Sequence, residues 1–229
     1  MATTITSGVQ YSGIWTMNQV NAAVAAGTWT GLLFLQANGM GGNGQLGLGN
    51  LTYYSSPKQV GSLTTWSKIA CAQNASLAVK TDGTLWSWGS NFDGQLGLGN
   101  TTSYSSPKQV GALTAWSIVS SFANSSISIK TDNALWAWGN NGTGQLGLGN
   151  TTNYSSPKQV GALTNWSLVS MGSHCTAIKT DNSLWSWGTN SSGQLGLGNT
   201  TNYSSPKQVG SLTSWLAVSA SNYYTLALG

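Results

Sequence analysis

Residues 85–100 read LWSWGSNFDGQLGLGN, and the last seven of them decide the fold. GQLGLGN begins at Gly44, Gly94, Gly144 and Gly193, at spacings of 50, 50 and 49 residues. A fixed period of this size marks tandem supersecondary units, each too small to bury its own apolar face. Other signals keep the same phase. SSPKQVG carries Pro57, Pro107, Pro157 and Pro206, the only prolines, and Leu-Thr-x-Trp carries Trp66, Trp116, Trp166 and Trp215. Trp-x-Trp-Gly recurs at Trp86, Trp136 and Trp185. The missing residue lies in the third unit, where Trp166 to Ile178 spans 12 positions and Trp116 to Ile129 spans 13.

Each unit contains four short extended segments. Pro57 to Val60 suits a strand start or edge, because proline removes a ladder donor. Trp66 to Ala70 follows. Ser76 to Lys80 alternates, with Leu77 and Val79 on one face, and Leu85 to Gly89 places Trp86 and Trp88 on one face. The last two segments are joined by Asp82-Gly83, repeated as Asp132-Asn133 and Asp181-Asn182, residues that tolerate the positive φ of a tight hairpin. The expected architecture is all-β: a β-propeller of four tandem four-stranded blades of about 50 residues.

The termini complete one another. The fourth unit runs through Pro206, Trp215 and a strand over Thr225 to Leu228, without a Trp-x-Trp strand. Leu32 to Gly39 sits in phase with that strand, Leu35 matching Leu85 and Gly39 matching Gly89. Pairing of the N-terminal strand with the last unit would cover an open sheet edge. Residues 1–30 form a leader and 31–229 the repeat domain. Within the leader, Thr16 and Gln19 fit a capping box, Trp15 and Val20 a hydrophobic staple, and Gly27 a stop, which predicts a short amphipathic helix over Met17 to Ala26.

Composition narrows the function. Only 5% of residues are charged, with neither Arg nor Glu, yet 40% are apolar and 12 are Trp, so the chain is compact rather than disordered. The net charge of +4 comes from eight Lys against four Asp, with no clustered basic face, which argues against nucleic acid. No segment approaches the roughly 18 apolar residues of a membrane helix, and residues 1–10 lack a secretory pattern. Cys71 and Cys175 fall at different phases of non-adjacent repeats, which predicts two small buried apolar residues rather than a disulfide.

The pattern Gly-x-Asn-x-x-Gly-Gln-Leu-Gly-x-Gly from Gly89, Gly139 and Gly188 resembles the repeat of the regulator of chromosome condensation family. The resemblance implies a propeller, commonly of seven blades, closed by a blade that mixes strands from both ends. The first copy departs with Gly41 in place of Asn. The family's His before the third strand appears only as His174, replaced elsewhere by Ala75, Ser125 and Tyr224. No residues match the founding member's nucleotide-exchange face or basic tail. Tyr11-Ser-Gly-Ile-Trp15 and Ala25-Ala-Gly-Thr-Trp29 resemble leader segments of bacteriophage tail and fibre-type proteins.

Candidate sites are repeat positions. Asp82, Asp132 and Asp181 share one hairpin turn, which turn chemistry explains; with Asp93 they offer no acid–base pair. His174 has no Cys, Asp or Glu partner in its repeat and reads as a hydrogen-bonded core residue. GQLGLGN lacks the Gly-Lys-Ser/Thr ending of a phosphate loop. No catalytic residue, cofactor or metal is expected. A partner surface is. Lys58, Lys108, Lys158 and Lys207 should form a partial ring on one rim, and Tyr54, Tyr104, Tyr154 and Tyr203 either pack on the adjacent proline or stack on sugar rings.

Closure of the ring is open at this level. Seven-fold closure needs about 51° per blade and four-fold about 90°, so one chain closes alone or two form an eight-bladed ring, a homo-oligomer with composite blades made in trans. The expected function is a non-catalytic structural or binding scaffold. The phage likeness points to a virion or extracellular protein contacting other virion proteins or a host-surface glycan. The alternative is a cytoplasmic protein–protein interaction module of the resembled family.

Overall fold

In the computed structural model, which describes residues 34–62 and 65–229, every regular element is a strand. The predicted leader helix over Met17 to Ala26 lies outside the described residues. Strands β1 (Gln36–Gly39) and β2 (Tyr54–Gln59) form a two-stranded antiparallel sheet. Blade 1 contains β3 (Trp66–Cys71), β4 (Ala75–Lys80), β5 (Leu85–Gly89) and β6 (Tyr104–Gln109). Blade 2 contains β7 (Trp116–Phe122), β8 (Ser125–Lys130), β9 (Leu135–Gly139) and β10 (Tyr154–Gln159). Blade 3 contains β11 (Trp166–Met171), β12 (His174–Lys179), β13 (Leu184–Gly188) and β14 (Tyr203–Gln208). A second two-stranded sheet, β15 (Ala217–Ala220) and β16 (Thr225–Leu228), follows.

The repeat unit and the sheet are out of phase. The proline strand starts earlier than expected, at the Tyr rather than at Pro57, and pairs with the Trp-x-Trp strand of the preceding repeat, Trp86 opposite Gln109. Proline thus sits on the outermost strand of each blade, where a lost donor breaks no ladder. The first strands β3, β7, β11 and β15 pack successively on one another and line the axis. The last half-blade therefore supplies two inner strands, and β1 and β2 are two outer ones. The N-terminal region thus offers two outer-type strands, β1 and β2, where one was expected.

Among the described residues those halves share no sheet: β16 pairs with β15, and β1 with β2. The expected pairing of the N-terminal strand with the last unit, left open between one chain and two, is not made as a hydrogen-bonded ladder within the described residues of one chain.

The core lies between blades. Leu77 and Val79 of β4 pack with Trp116 of β7, and Ile127 and Ile129 of β8 with Trp166, Val169 and Met171 of β11. Each blade also buries a tryptophan trio. Trp116 stands edge-on to Trp136 at 6.1 Å and to Trp138 at 6.0 Å, a geometry worth about 0.5–1.5 kcal/mol per pair beyond area burial.

GQLGLGN is the clasp from one blade to the next. Asn91 holds the loop by accepting from Leu96 N at 2.9 Å and donating to Asn100 O at 2.9 Å; Asn141 and Asn190 repeat this. The Gln95 carbonyl then accepts from Trp138 Nε1 at 2.9 Å and Ser126 Oγ at 2.8 Å, both in blade 2. Gly97 has φ +73° and lies so close to Trp138 Nε1 that an added Cβ would stand 2.8 Å from it. The hairpin turns also behave as read, with Gly83, Asn133 and Asn182 all at positive φ.

Candidate partner-docking rim

The outer strand of each blade carries Tyr and Lys four residues apart, on one face. The lysine folds back over the ring in all four copies: Lys58 over Tyr54 at 5.7 Å, Lys108 over Tyr104 at 5.3 Å, Lys158 over Tyr154 at 5.6 Å and Lys207 over Tyr203 at 5.4 Å. The rings are half-buried and the lysines exposed. Asn50, Asn150 and Asn199, which end three of the heptapeptides, donate to the phenolic oxygens of Tyr54, Tyr154 and Tyr203 at 3.1–3.3 Å. Each tyrosine thus has a lysine over its ring and, in these three copies, an anchored hydroxyl.

Beside these pairs, a groove opens at the blade boundaries. Between blades 2 and 3 it encloses about 330 Å³ and is lined by Leu148, Leu163, Trp166, Lys179, Trp185 and Pro206, among others. Its counterpart between blades 1 and 2 encloses about 190 Å³, with Leu98, Leu113, Trp116 and Pro157 at equivalent positions. Leu113 and Leu163 stand exposed at the lip, as does Leu212 one repeat on. Apolar side chains exposed at a regular spacing on a rim that also bears lysines form a surface able to take a protein partner.

The sequence reading missed a second set of lysines, one of which, Lys179, lines the groove between blades 2 and 3. Lys80, Lys130 and Lys179 end the second strand of each blade and lie among the tryptophans; Lys179 is 3.6 Å from the Trp185 ring centroid and 4.9 Å from that of Trp166. Burial holds the Lys80 and Lys179 ammonium groups below their ordinary pKa, opposed by Asp82 and Asp181. The available signal was Lys-Thr-Asp, in phase at residues 80, 130 and 179.

Each carboxylate is employed structurally. Hydrogen bonds from the Thr84 and Ser183 side chains and backbone hold Asp82 and Asp181 below the usual carboxylate range. Asp93 instead joins neighbouring elements, accepting from Asn124 at 2.8 Å, Asn153 at 3.1 Å and Asn140 at 3.4 Å. Among the described residues no three His, Cys, Asp or Glu side chains are placed to hold a metal ion. Cys175 is buried as expected, but Cys71 is exposed. Its counterparts Ser121 and Met171 are buried under the inner strands of the preceding blade, whereas among the described residues β3 has no preceding blade to cover it.

The Asp turn also relays hydrogen bonds to the rim. Thr84 Oγ1 accepts from Trp86 Nε1 at 2.9 Å and Ser183 Oγ from Trp185 Nε1 at 2.8 Å. Blade 2 has Ala134 at this position, and Trp136 Nε1 is buried without a partner. Ala134→Ser should supply the missing acceptor and stabilise the chain by about 1 kcal/mol in urea unfolding.

The family profile for the regulator of chromosome condensation (RCC1) repeat matches residues 37–79, 82–128, 132–178 and 181–228, and a second RCC1 repeat profile matches residues 66–95. A search of curated proteins finds no match. Among solved structures, human WBSCR16 superposes with a TM-score of 0.77 at 22% identity, over 86% of this chain and 53% of that one. Prp20p from Saccharomyces cerevisiae, described for its binding to Gsp1p and histones, gives 0.73 at 19% identity, over 85% and 51%. Yeast RCC1 (Prp20) bound to Kap60 gives 0.74 at 19% identity, over 85% and 49%. The chain spans about half the length of these structures.

Proposed function

Because the chain belongs to the regulator of chromosome condensation repeat family, we propose that it is a non-catalytic protein–protein interaction module that docks a partner on the outer rim of its blades. The observation that carries this reading is the recurrent groove with Leu113 and Leu163 exposed at its lips and lysines alongside. Interfaces draw most of their energy from a few buried apolar and aromatic anchors, and a groove floored by Trp and Pro offers such a seat. The yeast relative's binding to Gsp1p and histones supports a protein as the ligand class. A cellular setting fits.

Virion attachment and glycan binding have less behind them. The phage-like stretch lies outside the described residues, the family match begins at residue 37, and the tyrosines proposed to stack on sugars already have lysines over their rings. The test is affinity capture with the native chain and with the double variant Leu113→Asp, Leu163→Asp, followed by direct titration of the purified captured protein. A partner whose affinity falls at least tenfold in the variant supports the reading. Equal affinity for both baits, or binding to a glycan array without any protein ligand, overturns it.

A further inference from the structure

We infer that the open ends of the arc are closed by a second copy of this chain, which pairs β1 of one copy with β16 of the other. Each end displays what the opposite end lacks. In the full blades, the strand equivalent to β16 is buried: Leu77 and Val79 are 1% and 2% exposed, whereas Leu226 and Leu228 at the same register are 65% and 64% exposed. Those residues normally pack on the inner strand of the next blade. The corresponding inner-strand position is Val169 in blade 3, which is 9% exposed, and Ile69 in blade 1, which is 62% exposed. Leu226 and Leu228 at one end therefore match Ile69 and Cys71 at the other.

The fourth GQLGLGN loop gives an independent indication. Gly49, Gly99 and Gly149 donate their backbone N–H to Ser105, Ser155 and Ser204 of the next outer strand at 2.7–2.8 Å. A Cβ on Gly44, Gly94 or Gly144 would collide with those same serines. The loop at Gly193 to Asn199 keeps the positive φ angles and the internal hydrogen bonds, yet a Cβ on Gly193 or Gly198 would meet nothing within 4 Å. The strand it lacks exists at the other end of the chain: β2 has the sequence YSSPKQ, identical to β6, β10 and β14, with Ser55 in the receiving register. A cavity of about 320 Å³ lined by Gly196, Val209 and Thr225, among others, lies beside this clasp.

The register of the joint follows from the full blades. Leu77 faces Ser87 and Val79 faces Leu85 in blade 1, so Leu226 faces Ala37 and Leu228 faces Leu35 across the new ladder. A head-to-tail contact of this kind makes a ring when the rotation closes. Two chains joined at both complementary ends would form such a ring with two composite blades. Paired edges also remove the exposed strands that would otherwise template aggregation.

The test uses the whole 229-residue chain. Light scattering should give twice the 23.8 kDa of one chain, and Leu226→Lys with Leu228→Lys should reduce the mass to a single chain while the circular dichroism of the blades is unchanged. In a Cys71→Ser background, Ala37→Cys with Leu226→Cys should form a disulfide between copies on mild oxidation. A single-chain mass for the native protein overturns the inference, as does a bridge formed within one chain or the absence of any bridge.

Discussion

Gly97→Ala should cost roughly 2–5 kcal/mol, whereas Gly196→Ala, the same residue of the same heptapeptide, should cost only about 1–2 kcal/mol. Both positions lie in the left-handed region, at φ +73° and +69°, so the backbone penalty for alanine is shared. The difference is the neighbour. At Gly97 the new Cβ stands 2.8 Å from Trp138 Nε1 and has to displace an indole that is fully buried and bonded to the Gln95 carbonyl. At Gly196 the nearest atom is Val209 Cγ1 at 3.4 Å, an ordinary contact. The strand that would complete that blade carries Asn38 where Trp88, Trp138 and Trp187 stand in the others, so the contrast survives closure of the ring. Urea unfolding of the two variants measures it, and equal losses would show that φ alone governs the site.

Acidification from pH 7.5 to pH 4.5 should loosen the docking of β16 on blade 3 through His174. Burial pushes this imidazole down from 6.5 to about 4. The hydrogen bonding explains why the charged form is disfavoured. Thr225 Oγ1 donates to the Gln194 carbonyl at 2.9 Å, so it accepts from His174 Nε2 at 2.6 Å, and Nδ1 is left buried and unpartnered. A second proton would sit on Nδ1 with no acceptor. Since the folded value lies below the unfolded one, the unfolded chain binds the proton first as pH falls. The contribution is fully present above about pH 6.5 and is lost as pH falls toward about 4, up to about 3 kcal/mol. The lowered carboxylates Asp82 and Asp181 lose theirs only below the usual carboxylate range, a separate window. His174→Ser, which copies Ser125 of blade 2, should flatten stability between pH 7 and 4.5 in thermal melts. A slope that persists in that variant would assign the effect elsewhere.

These contrasts mark how far local pattern reaches. The blade strands were legible because each is written three or four times in phase: Leu77 and Val79 alternate, Trp86 and Trp88 share a face, and the Asp turns demand positive φ. The tyrosine and lysine of the outer strand could be placed on one rim for the same reason. That each lysine covers its tyrosine was not legible, because it depends on how the outer strand is oriented against the heptapeptide before it. The grooves were also hidden, since Leu148, Trp185 and Pro206 come from two blades and meet only when blades stack.

Periodicity alone determined the fold class, the strand segments of each repeat and the glycine-bearing clasps, because those depend on residues close in sequence and repeated in register. Which strands share a sheet was decided in three dimensions, since the proline strand of one repeat satisfies its hydrogen bonds on the Trp-x-Trp strand of the repeat before it. The turn between blades was decided there too. It comes from packing Leu77, Ile127 and their tryptophan neighbours between sheets, and it leaves Ile69 and Leu226 uncovered at opposite ends of an arc rather than joined in one ring.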